Sequence, residues 1–176
     1  MVGNGFNIQK SVACQHYLAM AATYLILENI RSAHNVGAIF RTADGAGVSK
    51  IYLIGYTPAP TDRFGREQSE ILKTSLGASK LIPWEQRDHI TEVVEELKKV
   101  GIEIIVVEQH KKSVHYKIHN PVGARAFIVG NEIDGVSAAA LAAADHIVDI
   151  PMSGHKESLN VATTTGIVLF HFRDCV

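Results

Sequence analysis

The sequence predicts an α/β domain built on a mostly parallel sheet with helices on both faces. Short, near-continuous apolar runs rich in β-branched residues alternate with segments of helical periodicity along the chain. Such continuous runs are typical of strands buried on both faces, as in parallel sheets. Their alternation with helices indicates an α/β fold. The 176 residues are enough for one domain with a sizeable core.

Five apolar runs predict the buried strands of this sheet. They comprise residues 23–28, 51–55, 103–107, 126–130 and 146–150. A weaker run at residues 80–84 contains a proline, which cannot donate to a sheet ladder, so we expect a short strand or an edge strand there. Trp84, at the end of this run, is expected in the core.

Four segments with helical periodicity or composition lie between and after these runs. They comprise residues 36–46, 91–100, 137–144 and 161–173. Asn35 is the expected N-cap of the first helix, Gly101 ends the second, and Ser158 or Asn160 caps the last. Small residues at positions 162–166 favour close packing of another backbone against the last helix. Residues 1–22 match no strand and are interpreted as an N-terminal extension of a domain at residues 23–176.

A long polar segment at residues 57–79 precedes the weak run. It carries Arg63, Arg66, Lys73 and two prolines. Long polar connections in compact domains are often functional loops, but a mobile connector has the same composition. Both interpretations stay open on the sequence alone.

Charge and cysteine content exclude several classes of protein. The formal net charge is −1, which excludes nucleic-acid binding through bulk positive charge alone. Residues 1–80 nevertheless carry 8 Lys/Arg against 5 Asp/Glu, and residues 81–176 carry 9 against 13, so an anionic partner is expected to meet the N-terminal half. Cys14 and Cys175 are the only cysteines, which argues against a disulfide framework and favours a reducing, cytoplasmic compartment. We expect neither a secretion signal nor a membrane span.

Two clusters of candidate functional residues have ordinary alternatives. At residues 35–43, Gly37 is expected to keep the first helical turn open, and Arg41 follows one turn later. A guanidinium near a helix start favours phosphate, although a capped helix with an exposed arginine has the same pattern. At residues 128–135, a strand ends at Gly130 and Glu132 follows. Parallel sheets bind ligands beyond the carboxyl ends of their strands, although a tight strand-to-helix turn also fits.

The third cluster, at residues 150–161, follows the last predicted strand. Ser158 and Asn160 lie where the final helix begins. A helix cap explains one of them, but hardly both together with the small residues that follow. Separately, His115 and His119 have the spacing of two ligands on one helix face, but no cysteine or carboxylate stands near them at zinc spacing. We therefore expect a solvated surface for both histidines and no metal site.

Taken in this order and spacing, the three clusters resemble the three motifs of the SpoU group of TrmH-like RNA 2′-O-ribose methyltransferases in the SPOUT superfamily. The matching stretches are residues 35–55, 127–137 and 150–172, within a resemblance that spans residues 24–172. The resemblance implies an α/β fold whose C-terminal part threads a deep trefoil knot, and a homodimer formed through the knot region. It also implies S-adenosyl-L-methionine as cofactor, RNA as substrate, and methyl transfer to a ribose 2′-hydroxyl.

The resemblance assigns site residues by motif. The catalytic residues that it implies are Arg41, Asn35, Glu132, Ser158 and Asn160. The cofactor-binding residues that it implies are Val107, Glu108, Gly130, Ile150, Met152, Ser158, Leu159 and Asn160. The residues expected to contact RNA phosphates are Arg31, His34, Arg41, Arg63, Arg66, Lys73 and Lys80. The sequence has Ala162 where serine is common in the family, which is a mild departure.

Arg41 is the residue expected to act in the transfer itself. Because arginine is effectively always protonated in proteins, we expect it to hold a phosphate and to stabilise a developing alkoxide rather than to act as a general base. In a homodimer, Arg41 of the other subunit can fill this role. A compact tRNA is the favoured substrate, with rRNA as the alternative. Two other classes stay open: a non-catalytic RNA-binding module and, last, a small-molecule enzyme.

Overall fold

The computed structural model describes residues 22–173, and this range holds seven strands and five α-helices. The strands are β1 (Thr23–Glu28), β2 (Lys50–Ile54), β3 (Trp84–Arg87), β4 (Glu103–Val107), β5 (Val114–His115), β6 (Arg125–Val129) and β7 (His146–Asp149). The helices are α1 (Ala33–Ala46), α2 (Ser69–Ser75), α3 (Ile90–Lys99), α4 (Ala138–Ala143) and α5 (Val161–Phe172), and a 3₁₀ helix covers Ala78–Lys80. All of the predicted extension except residue 22 lies outside the described residues, as do Cys14 and Cys175.

The seven strands form one parallel sheet in the order β3-β2-β1-β6-β4-β7-β5. β1 lies near the middle, where Leu25 is opposite Ile51 of β2 and Phe127 of β6. The prediction of a mostly parallel α/β sheet is confirmed, and the five predicted buried strands lie within one residue of their expected bounds. Within residues 22–173, no helix combines the length and the apolar character that a membrane span requires.

Helices cover both faces of the sheet because successive side chains of a strand point to opposite sides. Leu25 and Leu27 of β1 belong to the apolar cluster that contains α1, α2 and α5, whereas Ile26 between them belongs to the cluster with α3 and α4. Gly101 follows α3 in a left-handed conformation, with φ +78°, as its predicted role at the helix end requires. The two clusters explain why the strands are apolar without alternation.

The edge strand β3 begins where the sequence predicted a strand to end. Residues 80–84 do not form a strand, because Lys80 closes the 3₁₀ helix and Pro83 contributes only its carbonyl oxygen, which accepts a hydrogen bond from Ile51 N at 3.0 Å. Regular pairing with β2 starts at Trp84. Trp84 is half-buried against the core rather than within it. The bounds of this strand were therefore predicted wrongly, whereas its position at the sheet edge is correct.

The polar segment at residues 57–79 contains regular structure that the sequence does not predict. An antiparallel bridge between Thr61 and Glu67 closes its first part, and α2 and the start of the 3₁₀ helix form its second part. Ile71 is the one buried apolar side chain of α2. A helix with so little apolar surface shows no periodic stripe, so its packing on α1 is what defines it.

α1 and α2 approach each other closely at Gly37. A Cβ atom added to Gly37 would lie 1.8 Å from Thr74 Oγ1 and 2.7 Å from the carbonyl oxygen of Ile71. Gly37 therefore allows the two helices to pack, and the predicted role of opening the first turn is wrong. The close backbone approach predicted for α5 is not found at Gly166, where an added Cβ would lie at an ordinary 3.5 Å from Thr42 Cγ2.

Gly37→Ala is expected to destabilise the protein by about 1–3 kcal/mol, because its methyl group overlaps the Ile71 carbonyl, a backbone atom that cannot move alone. Gly166→Ala is the matched control, since it adds the same methyl group to a helix interior with room for it. This control is expected to be neutral or to stabilise by up to about 1 kcal/mol. Equilibrium urea denaturation measures both free energies of unfolding. Equal stability of the two variants would contradict a close helix crossing at Gly37.

Candidate active site

A cleft of about 380 Å³ opens at the carboxyl edge of the sheet. β6, β4 and β7 are neighbours, so Val129, Val107 and Asp149 at their carboxyl ends come together and line the cleft. The segments after β6 and β7 supply much of the remaining lining. Parallel sheets bind ligands in this position, and the volume lies in the range of small-molecule sites, about 300–1,000 Å³.

Most residues predicted to bind the cofactor line this cleft. They are Val107, Glu108, Gly130, Ile150, Met152, Ser158 and Leu159. Asn160, the remaining predicted residue, is not among the lining residues. Its side chain instead joins the hydrogen bonds described below. The fold thus brings the second and third sequence clusters to one cavity, while cofactor binding by these residues stays a prediction.

The cleft also contains residues that the sequence analysis does not single out. They include Gln109, Asn131, Ile133, Gly135, Asp149, Glu157 and Thr164. The sequence could have indicated a turn at Asn131, because asparagine side chains often accept hydrogen bonds from the backbone of a turn. Its Oδ1 accepts hydrogen bonds from the backbone N–H groups of Ile133 and Asp134 at 2.7 and 3.0 Å. The other residues have no such signal, since only the fold determines their position.

Two glycines in the loop after β6 permit close approaches, one within that loop and one to Glu108 in the loop after β4. A Cβ added to Gly130 would lie 2.4 Å from the backbone of Gly135 and of Val136. Gly135 has φ +69°, and a Cβ there would lie 2.4 Å from a carboxylate oxygen of Glu108. Glu108 accepts a hydrogen bond from Val136 N at 3.1 Å. A side chain at Gly130 would therefore overlap the backbone of its own loop, and one at Gly135 would be strained by its positive φ and would displace the Glu108 carboxylate.

A chain of side-chain hydrogen bonds connects the three sequence clusters. Asn35 Nδ2 donates to Glu132 Oε1 at 3.0 Å, and Asn160 Nδ2 donates to Asn35 Oδ1 at 3.1 Å. Asn160 Oδ1 accepts from Ala162 N at 2.9 Å, so the same side chain caps α5. Of the two predicted caps for this helix, Asn160 is the one observed. Three predicted catalytic residues from three separate segments thus form one unit.

Asn35 is free to make these contacts because it does not cap α1. Ser32 is the N-cap, and its hydroxyl oxygen accepts a hydrogen bond from Asn35 N at 3.2 Å. The predicted N-cap role of Asn35 is therefore wrong, since α1 begins at Ala33 and Asn35 lies within its first turn. In that position its side chain reaches Glu132 instead of the helix backbone.

Hydrogen bonds outweigh burial at Glu132. Burial raises the pKa of this carboxyl group, but donation from the Asn35 side chain and from the backbone amides of Arg31 and Ser32 lowers the pKa by more. The resulting pKa lies below its usual value, so Glu132 is ionised at neutral pH. An ionised carboxylate here acts as a hydrogen-bond acceptor that orients Asn35.

Ser158 lies in the exposed loop before α5 and lines the cleft. The side chain of Gln109, after β4, donates a hydrogen bond to the carbonyl oxygen of Glu157. This contact attaches the loop that carries Ser158 to the loop after β4. Ser158 is thereby held at the wall of the cavity, close to the start of α5.

Arg41 lies outside the cleft, in a second groove of about 560 Å³. His34, two helical turns earlier on α1, shares this groove, together with Lys73 of α2 and Phe170 of α5. Within residues 22–173, no carboxylate forms an ion pair with Arg41. The structure thus gathers three predicted RNA contacts, His34, Arg41 and Lys73, on one surface.

The other predicted RNA contacts lie apart from this groove. They are Arg31, Arg63, Arg66 and Lys80. Arg31, Arg66 and Lys80 form exposed ion pairs with Asp134, Asp62 and Glu67 respectively. Arg63 lies beside the exposed ring of Phe64. Because exposed ion pairs contribute little to stability, these cations stay available to an anionic partner.

Similarity to known proteins agrees with this arrangement. Residues 22–170 match the profile of the SpoU rRNA Methylase family. The chain is 35% identical over 149 residues to the 23S rRNA (guanosine-2′-O-)-methyltransferase RlmB of Neisseria meningitidis, a match that covers 85% of this chain and 57% of that protein. It is 32% identical over 143 residues to the tRNA (guanosine(18)-2′-O)-methyltransferase of Aquifex aeolicus, which covers 81% of this chain and 64% of that protein. The chain thus spans less than two thirds of either relative.

A solved structure shares the fold. The AdoMet-bound rRNA methyltransferase from Sinorhizobium meliloti has a TM-score of 0.78 to this chain at 30% identity, over 86% of this chain and 56% of that one. The profile match extends over nearly all the described residues, and it contains all three clusters. The chain therefore belongs to the SpoU rRNA Methylase family.

Proposed function

We propose that the chain transfers a methyl group from S-adenosyl-L-methionine to the 2′-hydroxyl of a ribose in RNA. The observation that carries this proposal is the chain of hydrogen bonds from Glu132 through Asn35 to Asn160, which joins the three sequence clusters. Family membership supports the same reaction, since both curated relatives are named as guanosine 2′-O-methyltransferases of RNA. The chain spans only part of those relatives, so the activity is proposed for it rather than taken over from them.

The cleft has features that suit this cofactor. Val107, Ile150 and Leu159 give it apolar walls, and Gly130 brings bare backbone to its surface. A small polar molecule with an aromatic base requires both kinds of contact. The Sinorhizobium neighbour is AdoMet-bound, and when bound here the cofactor would supply an electrophilic methyl group on sulfur. The residues proposed to hold it are Val107, Glu108, Gly130, Ile150, Met152, Ser158, Leu159 and Asn160.

The residues of the chain supply orientation and charge to the reaction. Glu132 fixes Asn35 and Asn35 fixes Asn160, so the loops around the cleft are positioned before the RNA arrives. Arg41 is permanently charged, so it binds an RNA phosphate and stabilises the negative charge that develops on the attacking 2′-oxygen. Ser158 at the cavity wall is placed to hydrogen-bond a ligand there.

The functional unit that we propose is a homodimer in which Arg41 of one subunit serves the cleft of the other. The groove that contains Arg41 shares no lining residue with the cleft. Phe170 lies in that groove and is 45% exposed, and aromatic side chains are enriched at protein interfaces. A partner that covers α1 and α5 would bring the two surfaces together. The predicted cytoplasmic location stays a prediction.

A deep trefoil knot at the C-terminal end is also part of the proposal. α4 packs on one face of the sheet and α5 on the other, so the segment between them passes the carboxyl ends of the strands. Gln109 contacts Glu157 of that segment, and Glu108 contacts Val136 in the loop after β6. We propose that the segment at residues 150–160 passes between these two loops and thereby forms the knot. An experimental backbone trace that runs outside both loops would overturn it.

Transfer RNA is the proposed substrate, with ribosomal RNA as the second candidate. The curated relatives are named for both classes, and the chain spans the larger share of the tRNA enzyme, 64% against 57%. Labelled S-adenosyl-L-methionine, incubated with the chain and unmodified tRNA, is expected to give 2′-O-methylated nucleosides after digestion. A parallel reaction contains rRNA.

The outcomes of this assay separate the alternatives. Label in 2′-O-methylated nucleosides from rRNA alone would replace tRNA by rRNA as the substrate. Label in base-methylated nucleosides only, or no label with any RNA, would contradict the proposed reaction. RNA binding without measurable cofactor binding by calorimetry would favour the non-catalytic RNA-binding module instead.

Arg41→Ala is expected to lower kcat by about 10²–10³-fold, because charge stabilisation at the attacking oxygen is lost. Cofactor affinity, measured by calorimetry, is expected to stay within a few-fold of the parent because the proposed contacts of Arg41 are with the RNA and not with the cofactor. Lys99→Ala is the control, since it removes an exposed cation at the end of α3. A parent-like rate for Arg41→Ala would remove Arg41 from the mechanism.

Mixed dimers test whether Arg41 acts across subunits. We consider a mixed dimer of an Arg41→Ala subunit and an Asn160→Ala subunit. If Arg41 acts in the cleft of the other subunit, this dimer has one complete site. If Arg41 acts in the cleft of its own subunit, the dimer has no complete site. Co-expressed subunits with two different affinity tags are therefore expected to regain activity that neither homodimer has. An inactive mixed dimer would place both residues in the same subunit's site, and a monomer by light scattering would exclude the arrangement.

Asn35→Ala is expected to raise the pKa of Glu132, because one of the hydrogen bonds that lower it is removed. A carboxylate with a lowered pKa stabilises the folded state above the pKa of the unfolded chain, about 4.3 for glutamate, and this stabilisation is lost as the pH falls through the folded pKa. The stability difference between parent and variant is therefore expected to shrink as the pH falls below about 4.3. Carbon-13 NMR titration of Glu132 measures the pKa, with Asn120→Ala as an exposed control. An unchanged Glu132 pKa would contradict the network.

A further inference from the structure

Three ligand-type side chains meet at the amino edge of the sheet, opposite the cleft. Glu103 and His146 are the first residues of β4 and β7, and His119 lies in the connection between β5 and β6. Glu103 Oε1 lies 3.2 Å from His119 Nε2 and 3.1 Å from His146 Nε2. The ligand atoms of the three side chains all lie within 4.8 Å of one another.

The surroundings of His119 overturn the expectation of a solvated surface. Its side chain is 12% exposed, and its ring lies 4.1 Å from that of His146 and 6.2 Å from that of Phe172, between centroids. The sequence does not indicate this cluster, because its carboxylate, Glu103, is remote from His119 in the chain. The rest of β4, the loop after it and β5 lie between the two residues. His115, its apparent partner by spacing, belongs to β5 and takes no part.

The separations match those of metal ligands. Two ligand atoms held at about 2.0 Å from a tetrahedral zinc ion are about 3.3 Å apart, which is close to both Nε2–Oε1 distances. His119 Nε2 is buried and makes no hydrogen bond in the described part of the chain, so its approach to Glu103 lacks hydrogen-bond alignment. A buried nitrogen without an aligned hydrogen bond is costly. A cation shared between the nitrogen and the carboxylate removes that cost.

We propose that Glu103, His119 and His146 bind one divalent transition metal ion, with zinc as the ion that this ligand set favours. Two imidazoles and one carboxylate form a recurring zinc ligand set, whereas magnesium and calcium require mainly oxygen ligands. His146 is 47% exposed, so the fourth position faces solvent and is available to water.

The local charges are compatible with an imidazole-bound ion. Arg125 is buried and lies opposite Glu103 in the pairing of β6 with β4. Its positive charge disfavours cations that bind through charge alone. We therefore expect a transition metal ion that bonds to imidazole nitrogen.

The ion would stabilise the fold rather than take part in methyl transfer. Glu103 and Val107 are the two ends of β4, four residues apart, so the cluster lies about 13 Å from the cleft along this strand. His119 belongs to the connection between β5 and β6, and β4 and β7 supply the other ligands. A metal there joins that connection to two neighbouring strands of the sheet.

Calorimetry with zinc chloride tests this site on the full chain after treatment with a chelator. Cys14→Ser/Cys175→Ser is the background, because free thiolates bind zinc on their own. The background protein is expected to bind one zinc ion and to show a higher Tm when zinc is present. Cobalt chloride is expected to give the visible absorption of a four-coordinate ion.

His119→Ala and His146→Ala, each in that background, are expected to weaken zinc binding at least about tenfold and to abolish the Tm increase. His89→Ala, an exposed histidine at the start of α3, is the matched control and is expected to bind zinc as the background does. Glu103→Gln keeps the size of the side chain and removes its charge, so it tests the carboxylate if an alanine variant does not fold by circular dichroism.

Two results would overturn the proposal. One is absence of zinc binding and of any Tm change in the background protein. The other is undiminished binding by a folded His119→Ala/His146→Ala double variant. Methyl transfer by the variants is a separate readout and is expected to match the background protein, so failure of the metal site and failure of the proposed function are distinguishable.

Discussion

The hydrogen bonds from Glu132 through Asn35 to Asn160 are the constraint on which the rest of the site depends. One carboxylate accepts, one amide both accepts and donates, and a second amide donates while it caps α5. These groups come from the loop after β6, the first turn of α1 and the start of α5, which no strand ladder connects. Because the Asn35 side chain takes part in both bonds, fixing it on Glu132 also fixes the acceptor for Asn160. The three segments around the cleft are therefore positioned relative to one another.

The parallel sheet gives its two edges different chemistry. At the carboxyl edge, β6, β4 and β7 end beside one another, and glycines let their loops pack closely around a cleft. At the amino edge, the first residues of β4 and β7 are Glu103 and His146, which lie next to His119. β4 and β7 therefore contribute residues both to the cleft and to the cluster at the amino edge. An antiparallel sheet would have mixed these edges, because neighbouring strands would end on opposite sides.

The chain has a net charge of −1, but positive side chains are concentrated in one groove of its surface. Arg41 and Lys73 converge on the groove between α1, α2 and α5, away from the cleft, and His34 also lines this groove. Overall charge thus excludes only binding through bulk charge, since a groove of a few cations is enough to bind phosphate locally. The separation of Arg41 from the cleft is the reason why we propose that a second copy of the chain completes the site.

The sequence by itself determined the buried strands and the two-faced sheet, because burial on both faces leaves continuous apolar runs along the chain. It limited the cap of the last helix to Ser158 or Asn160, and the structure selected Asn160. It also determined which clusters belong together, through their order and spacing. Only the tertiary structure decided the bounds of β3, the existence of α2, the packing role of Gly37 and the contact of Asn35 with Glu132. It also decided the neighbourhood of His119. Each of these depends on a contact between segments remote in sequence, and such a contact has no local periodicity or spacing by which the chain alone could reveal it.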